Sequence, residues 1–487
     1  MPKKPEGLSE VDIQSIRKKS VSGAFSYMTR TLLLYILGVG ASFVLAAYLT
    51  VQEFGIYGVV TQIVGLLTFF SDIGLASALI QKKDEPSTTE YRTVFTVQQA
   101  LSWFIFLITI GIAVSGVLQP KVGTAGVWVL LALGISFPLA SLKTIPSVIL
   151  ERRLDFNRLV MPQIFEQVVY NGLLIFFAVK GYGVLAYTVA ILARSGIGVV
   201  VMYFLQRWSI GFAWDRKALK EMIGTGAKFQ LNDFLARIKD QLFYLLLGIF
   251  LPLKEFGYIT FAKQWSQMPY QLTVQNVIAI TFPTYSRLQH DKNLLKRAIE
   301  KTIFFITLAI FPMLVGMSVF LLPFLRLVPK YQKWEPAVLT FVLFTLSIGW
   351  SAISTPLTNT LNAIGQIHTT LKLMVMWTVL TWVLTPIGIA LFGFQGVAIA
   401  AFVISCTSIL PILAVRKITP VAVWEESWRQ LVAASVMAVV GLLGFSYWGR
   451  GFAQLGTGMA VTGLTYAVVM VILGKDKLLQ EWRSLRG

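Results

Sequence analysis

Apolar residues in this chain fall into long blocks, most of them close to the length of a bilayer-crossing helix, which recur from Tyr27 to Leu473 between short polar segments. A helix needs about 20 mostly apolar residues to cross a hydrocarbon core about 30 Å thick. The pattern predicts spans at 24–50, 55–81, 93–117, 125–149, 159–179, 184–206, 225–253, 257–285, 302–325, 337–361, 367–391, 394–415, 430–447 and 453–473. Lipid offers the backbone no hydrogen-bond partner, and the alternating pattern of barrel strands is absent, so these blocks must be helices. The expected fold is all-α: a polytopic integral membrane protein with about fourteen transmembrane helices.

The seventh span is unlike the others. Gln241 to Leu253 is apolar enough for only part of a crossing, and the rest must come from a half that carries Lys228, Asp233, Arg237, Lys239 and Asp240. Its surroundings also repeat. Val21 to Tyr57 aligns with Gly224 to Ile259, sharing Gly-Ala near the start (Gly23 with Gly226) and Glu-Phe-Gly near the end (Glu53 with Glu255), with a single gap. Each repeat then opens six spans in the same orientation, and parallel repeats imply a pseudo-two-fold axis along the membrane normal with a central cavity. The expected organisation is a cytoplasmic segment 1–20, an N-lobe 21–206, a linker 207–224, a C-lobe 225–415 and two extra spans with a tail at 416–487.

Composition agrees: 56% of residues are hydrophobic, 13% are charged, and mean hydropathy is +0.70. The net charge of +19 suggests an anionic partner until its distribution is examined. Roughly four in five of the loop Lys and Arg lie on one side of the spans, which places both termini in the cytoplasm. Most of the basic charge is therefore topological, and no nucleic-acid partner is expected. The loops 207–224 and 286–301 are too short for a further domain; 286–301 and the stretch from Leu150 read as interfacial segments facing anionic headgroups. The first twenty residues lack the apolar core of a cleavable signal. Cys406, the one cysteine, reads as a small buried hydrophobe. There is no P-loop, zinc-ligand cluster or Asp-x-Asp motif, and His290 and His368 fall in separate loops. Neither enzymatic activity, a cofactor nor a metal is expected.

Four stretches carry a resemblance: LTVQEFGIYG (Leu49 to Gly58), GLLTFFSDIGLASALIQKK (Gly65 to Lys83), LERRLDFNRL (Leu150 to Leu159) and FPTYSRLQ (Phe282 to Gln289). With the span pattern they resemble the Wzx-type oligosaccharide flippases of the multidrug/oligosaccharidyl-lipid/polysaccharide transporter superfamily, nearest the colanic-acid-exporter-like branch. The resemblance implies an inverted-V fold of two six-helix lobes. It also implies movement of undecaprenyl-diphosphate-linked glycan across the bacterial inner membrane by alternating access, driven by an ion gradient or the membrane potential. Implied partners are that glycan lipid, membrane lipids, and the polymerase and glycosyltransferases of the same pathway. A MATE-like drug or cation antiporter is the alternative within transport, and should favour an acidic cavity. A membrane glycan polymerase or ligase should carry a large outer loop.

Eight basic residues fall within spans, namely Arg30, Lys143, Arg194, Lys228, Arg237, Lys239, Lys263 and Lys372, against four acids, Asp72, Glu166, Asp233 and Asp240. Intramembrane charge marks a functional cavity by default, and guanidinium forks and ammonium groups suit a diphosphate. Arg30, Arg194, Arg237, Lys239 and Lys263 are the expected substrate-binding set. Asp233, Arg237 and Asp240 share one helical face, so mutual neutralisation is the competing reading; Arg30 can instead snorkel to the interface. By helical rise Arg237 lies roughly 24 Å, Arg194 roughly 16 Å and Lys263 roughly 9 Å from the outer ends of their spans. Asp72 is placed to couple an ion, to pair with Arg30 or to cap a kink beside Gly74; Asp233 and Asp240 serve coupling or charge pairing. Lys143, Lys228 and Lys372 read as interfacial. Gln264, Gln271, Gln275 and Asn276 of the eighth span suit sugar hydroxyls or interhelical bonds equally. Prolines within spans read as rocking hinges or packing kinks.

Overall fold

The computed structural model describes residues 34–68, 71, 74–82, 84–153, 155–217, 219–220 and 241–486, which are mostly helical with no strand among them. They form two compact units that divide after Leu253. The first carries α1 (Leu34–Tyr48), α2 (Val51–Thr68), α3 (Leu75–Gln81), α4 (Thr88–Val114), α5 (Gln119–Leu142), α6 (Thr144–Arg152), α7 (Phe156–Val179), α8 (Leu185–Leu205) and α9 (Phe243–Phe250). The second carries α10 (Leu253–Leu272), α11 (Val274–Leu288), α12 (Lys292–Leu327), α13 (Val338–Ala363), α14 (Ile367–Phe392), α15 (Gly396–Ser405), α16 (Ile409–Arg416), α17 (Val423–Leu443), α18 (Phe445–Trp448) and α19 (Phe452–Arg486). The apolar end of the seventh expected span, α9, packs against α2 within the first unit.

Among the described residues, 9 stretches are long and apolar enough to cross a membrane. One of them, Ile367–Arg416, is 50 residues long, more than twice what one crossing needs. It folds back at Gly393, whose φ of 60° admits the reversal, and Gly388 lies against the backbone of Gly396. This one stretch therefore holds the eleventh and twelfth expected spans. The second expected span breaks between α2 and α3, with Gly74 at φ 80°, and the eighth breaks at Thr273 between α10 and α11. Its many polar residues keep it below the hydropathy of a simple span.

Two proline sites are locked rather than free to hinge. Proline has no N–H, so the carbonyl four residues earlier loses its helical donor. For Pro146 that carbonyl is Leu142, and the Tyr203 hydroxyl donates to it at 3.0 Å. For Pro312 it is Leu308, and the Tyr466 hydroxyl donates at 2.9 Å. In lipid an orphaned carbonyl is costly, so each tyrosine ties its own helix to the bend it satisfies. Tyr466 belongs to α19, and the last two long helices are core elements of the second unit. Ile306, Ile310 and Leu314 of α12 pack with Ile348 of α13, Ala433 and Met437 of α17, and Met470 of α19. Small residues such as Ala433 let helices approach closely where no hydrophobic force drives them together.

The repeated Glu-Phe-Gly occupies the same structural place twice. Glu53 lies in the first turn of α2 and Glu255 in the first turn of α10, where an acid suits the positive end of the helix dipole. Phe54 and Phe256 are both buried. Glu53 also accepts from the Thr50 N–H at 2.6 Å while the Thr50 hydroxyl accepts from the Glu53 N–H at 3.2 Å, a reciprocal cap.

Two of the resembling stretches meet through one guanidinium. Arg152 donates from Nη1 to the carbonyls of Leu79 (2.7 Å), Ile80 (3.1 Å) and Lys82 (2.8 Å), and from Nη2 to Asp84 (3.0 Å). It therefore closes the carbonyl end of α3, where helix C-termini lack intrahelical donors, and corrects the expectation that this arginine faces lipid headgroups. Arg152→Ala is expected to destabilise the protein by about 2 kcal/mol, and Arg152→Lys to recover little, because a point charge cannot reproduce the fork. Thermal unfolding in detergent checks this, and an unchanged midpoint for Arg152→Ala would refute the clasp.

Candidate functional site

In the first unit, the described charged residues that fall within expected spans are Lys143, Glu166 and Arg194. Glu166 and Tyr170 lie one turn apart on α7; Tyr187, Arg194 and Gly198 follow one face of α8. Glu166 is 8% exposed and carries two cations. Lys143, at the junction of α5 and α6, forms an ion pair with Oε1. Arg194 approaches Oε2 with Nε at 3.8 Å. The junction that places Lys143 here is the Pro146 bend.

Room for the carboxylate is made by a missing side chain. A Cβ on Gly198 would lie 1.9 Å from Glu166 Oε1, so any larger residue would displace it. Arg194 is held from a second side by Tyr170, whose ring centroid lies 5.4 Å from the guanidinium carbon, within cation–π range. The Tyr170 hydroxyl is 3.3 Å from that of Tyr57, and Tyr57 stacks on Tyr187 with centroids 3.7 Å apart and planes 13° apart. The chain of contacts thus runs Lys143, Glu166, Arg194, Tyr170, Tyr57, Tyr187 across five helical elements.

Charge and exposure say what this arrangement can do. One carboxylate against two cations leaves a net charge of about +1 in a medium where charge is expensive. The Arg194 side chain is 45% exposed, against 19% for Lys143 and 10% for Glu166. Glu166 faces Nε, and among the described residues the two Nη groups make no hydrogen bond. The open edge of the guanidinium is the fork suited to bidentate binding of a phosphate.

The sequence expectations fare unevenly against this geometry. Arg194 has no partner readable in sequence but is paired to Glu166, and Lys143 is a partner of Glu166 rather than an interfacial lysine. Lys263 is half-buried on α10 in the second unit, and its carbonyl accepts from the Ser266 hydroxyl at 3.0 Å. Arg30, Asp72, Asp233, Arg237, Lys239 and Asp240 lie outside the described residues. Cys406, expected to be buried, is exposed. Glu166, Tyr57, Tyr170 and Tyr187 went unassigned by sequence reasoning; only the rarity of an acid in a span marked Glu166.

The sequence profile of the polysaccharide biosynthesis protein family matches residues 44–339, which is more than half of the chain. The chain belongs to that family. All the residues of the Lys143–Tyr187 cluster fall inside the matched range. Among similar proteins, a teichuronic acid biosynthesis protein of Bacillus subtilis, TuaB, is 23% identical over 308 residues, covering 62% of this chain and 63% of the relative. A succinoglycan biosynthesis transport protein of Rhizobium meliloti, ExoT, is 20% identical over 461 residues, covering 89% of each. The lipopolysaccharide biosynthesis protein WzxC of Escherichia coli is 23% identical, covering 79% of this chain and 78% of that one. Among solved structures, the lipid II flippase MurJ in an inward closed conformation superposes with a TM-score of 0.72 at 16% identity, covering 93% of this chain and 100% of that one. An inward-facing multidrug resistance MATE transporter of the MOP superfamily gives 0.60 at 16% identity, covering 79% and 95%. The solved structures share the fold, and with the apolar helices of this chain they make it a multi-pass membrane protein.

Proposed function

We propose that the protein is a flippase that moves an undecaprenyl-diphosphate-linked oligosaccharide from the cytoplasmic to the outer leaflet of the bacterial inner membrane by alternating access. The observation that carries this reading is Arg194. It is a mid-span guanidinium, fixed on one edge by Glu166 and over one face by Tyr170, with its remaining donors open and an uncompensated positive charge. Such a group suits a diphosphate and repels a cationic drug, which favours glycan lipid over the antiporter reading. The polysaccharide family and relatives concerned with biosynthesis and transport of polysaccharides support it.

In this reading 21–206 and 225–415 act as the two lobes, both termini are cytoplasmic, and Arg30, Arg237, Lys239 and Lys263 complete the basic lining. Asp72, Asp233 and Asp240 couple an ion or pair with those cations, and an ion gradient or the membrane potential supplies the driving force. The polymerase and glycosyltransferases of the same pathway are its functional partners. Deleting the gene should cause the lipid-linked repeat unit to accumulate on the cytoplasmic leaflet, measured by its protection from an impermeant glycosidase in sealed right-side-out vesicles. Restored access on re-expression is the expected result; full access in the deletion strain would overturn the proposal.

A further inference from the structure

Beyond α8 the chain runs without regular structure from 207 to 215, and this strap is docked on the first unit. The Ala213 N–H donates to the Thr96 hydroxyl at 3.2 Å and the Asp215 N–H to the Thr93 hydroxyl at 3.1 Å. Gly211 lies against Arg92, where a Cβ would come within 2.4 Å of Nε. Trp208 meets Phe95 edge-on with centroids 4.9 Å apart. Residues 211, 213 and 215 therefore face α4, and the alternate residues 210, 212 and 214 form the more exposed set, with the Phe212 ring also meeting that of Phe95 at a centroid distance of 5.8 Å.

Those alternate residues are large and apolar: Ile210 is 51% exposed, Phe212 71% and Trp214 66%. Exposed basic residues flank them, Arg207 on one side and Arg216 and Lys217 on the other. The single acid of the strap, Asp215, accepts from the Lys217 N–H at 2.9 Å. The residues of α4 that hold the strap, Arg92 to Thr96, lie roughly 6–12 Å along the helix from its start at Thr88. They straddle the expected start of the third span at 93, the end of a crossing helix beside which interfacial segments lie. An apolar row at that end, flanked by cations and beside a spanning helix, matches the boundary between acyl chains and anionic headgroups.

We propose that residues 207–217 form a lipid clamp, with Ile210, Phe212 and Trp214 inserted at the acyl boundary and Arg207, Arg216 and Lys217 holding anionic phospholipid headgroups. The clamp pins the first unit to the bilayer surface at the segment that follows α8. It is independent of what the transporter carries, so its test does not depend on transport.

The test uses the full chain with Cys406→Ser and Phe212→Cys, labelled with an environment-sensitive dye and reconstituted into mixed phosphatidylcholine–phosphatidylglycerol vesicles of fixed composition. Bromine quencher is placed on the acyl chains of one lipid or the other. The dye should be quenched, and brominated phosphatidylglycerol should quench several-fold more efficiently per mole than brominated phosphatidylcholine, since each basic residue near the surface is worth about 1 kcal/mol, or roughly fivefold. Arg216→Gln with Lys217→Gln should abolish the preference while leaving quenching by total brominated lipid intact. Absence of quenching by either lipid would show that the strap is in water; equal quenching by both, or an unaltered preference in the double variant, would show that it holds no anionic lipid. Any of these overturns the proposal.

Discussion

Arg194→Ala is expected to abolish transbilayer movement of the glycan lipid while the protein still inserts and folds. Removing the guanidinium takes away the open donors and the residual positive charge, but leaves Glu166 neutralised by Lys143, so the packing of α7 on α8 has no uncompensated charge to relieve. Truncating one member of a desolvated charge pair typically costs about 2–5 kcal/mol of binding, which corresponds to a loss of at least about 30-fold in affinity for the diphosphate. Arg194→Lys should retain part of the function, because the charge remains while the planar fork is lost. The measurement is the rate of glycan-lipid flipping in vesicles, with thermal stability recorded on the same preparations. Wild-type flipping by Arg194→Ala would remove this residue from the site; a collapse of stability would show that its role is structural.

The reverse pattern is expected at Glu166. In Glu166→Ala, the Lys143 ammonium and the Arg194 guanidinium lose their shared counter-charge. Breaking a buried pair from one side costs about 3–5 kcal/mol, because the stranded charge stays in a low-dielectric site. The half-exposed Arg194 can rehydrate, so the penalty falls mainly on Lys143. Stability should therefore drop sharply in Glu166→Ala and return towards the wild-type midpoint when Lys143→Met is combined with Glu166→Gln. A thermal unfolding series in detergent measures both. A midpoint for Glu166→Ala equal to wild type, or a double variant no more stable than the single one, would refute the shared-carboxylate arrangement.

The contrast between the two residues explains what sequence reading reaches. Spans were legible because lipid forces a long apolar run for every crossing, so length alone reports each helix. What the pattern does not show is a break inside a span: the eighth span, 257–285, was placed but not its interruption at Thr273, whereas the eleventh and twelfth, 367–391 and 394–415, were separated in sequence at the point where Gly393 reverses the chain. The Glu-Phe-Gly repeat was legible and has a physical basis, since both copies place an acid at the start of a helix.

The cluster around Glu166 was not legible. Helical spacing relates Glu166 to Tyr170 and Tyr187 to Arg194, but nothing in it says that α7 faces α8 with those sides inward. Nor does it say that a proline bend swings Lys143 towards the same carboxylate. Arg152 shows the same limit: it reads as one more positive charge at the cytoplasmic edge, and its four carbonyl partners lie roughly seventy residues away in sequence. By itself, then, the sequence determined that this chain is a helical membrane protein of many spans, with a Glu-Phe-Gly motif that recurs at two helix starts and with charges inside the apolar runs. Only the tertiary structure decided which of those charges are already spent on each other, because pairing depends on distances between helices whose order along the chain does not set their contacts.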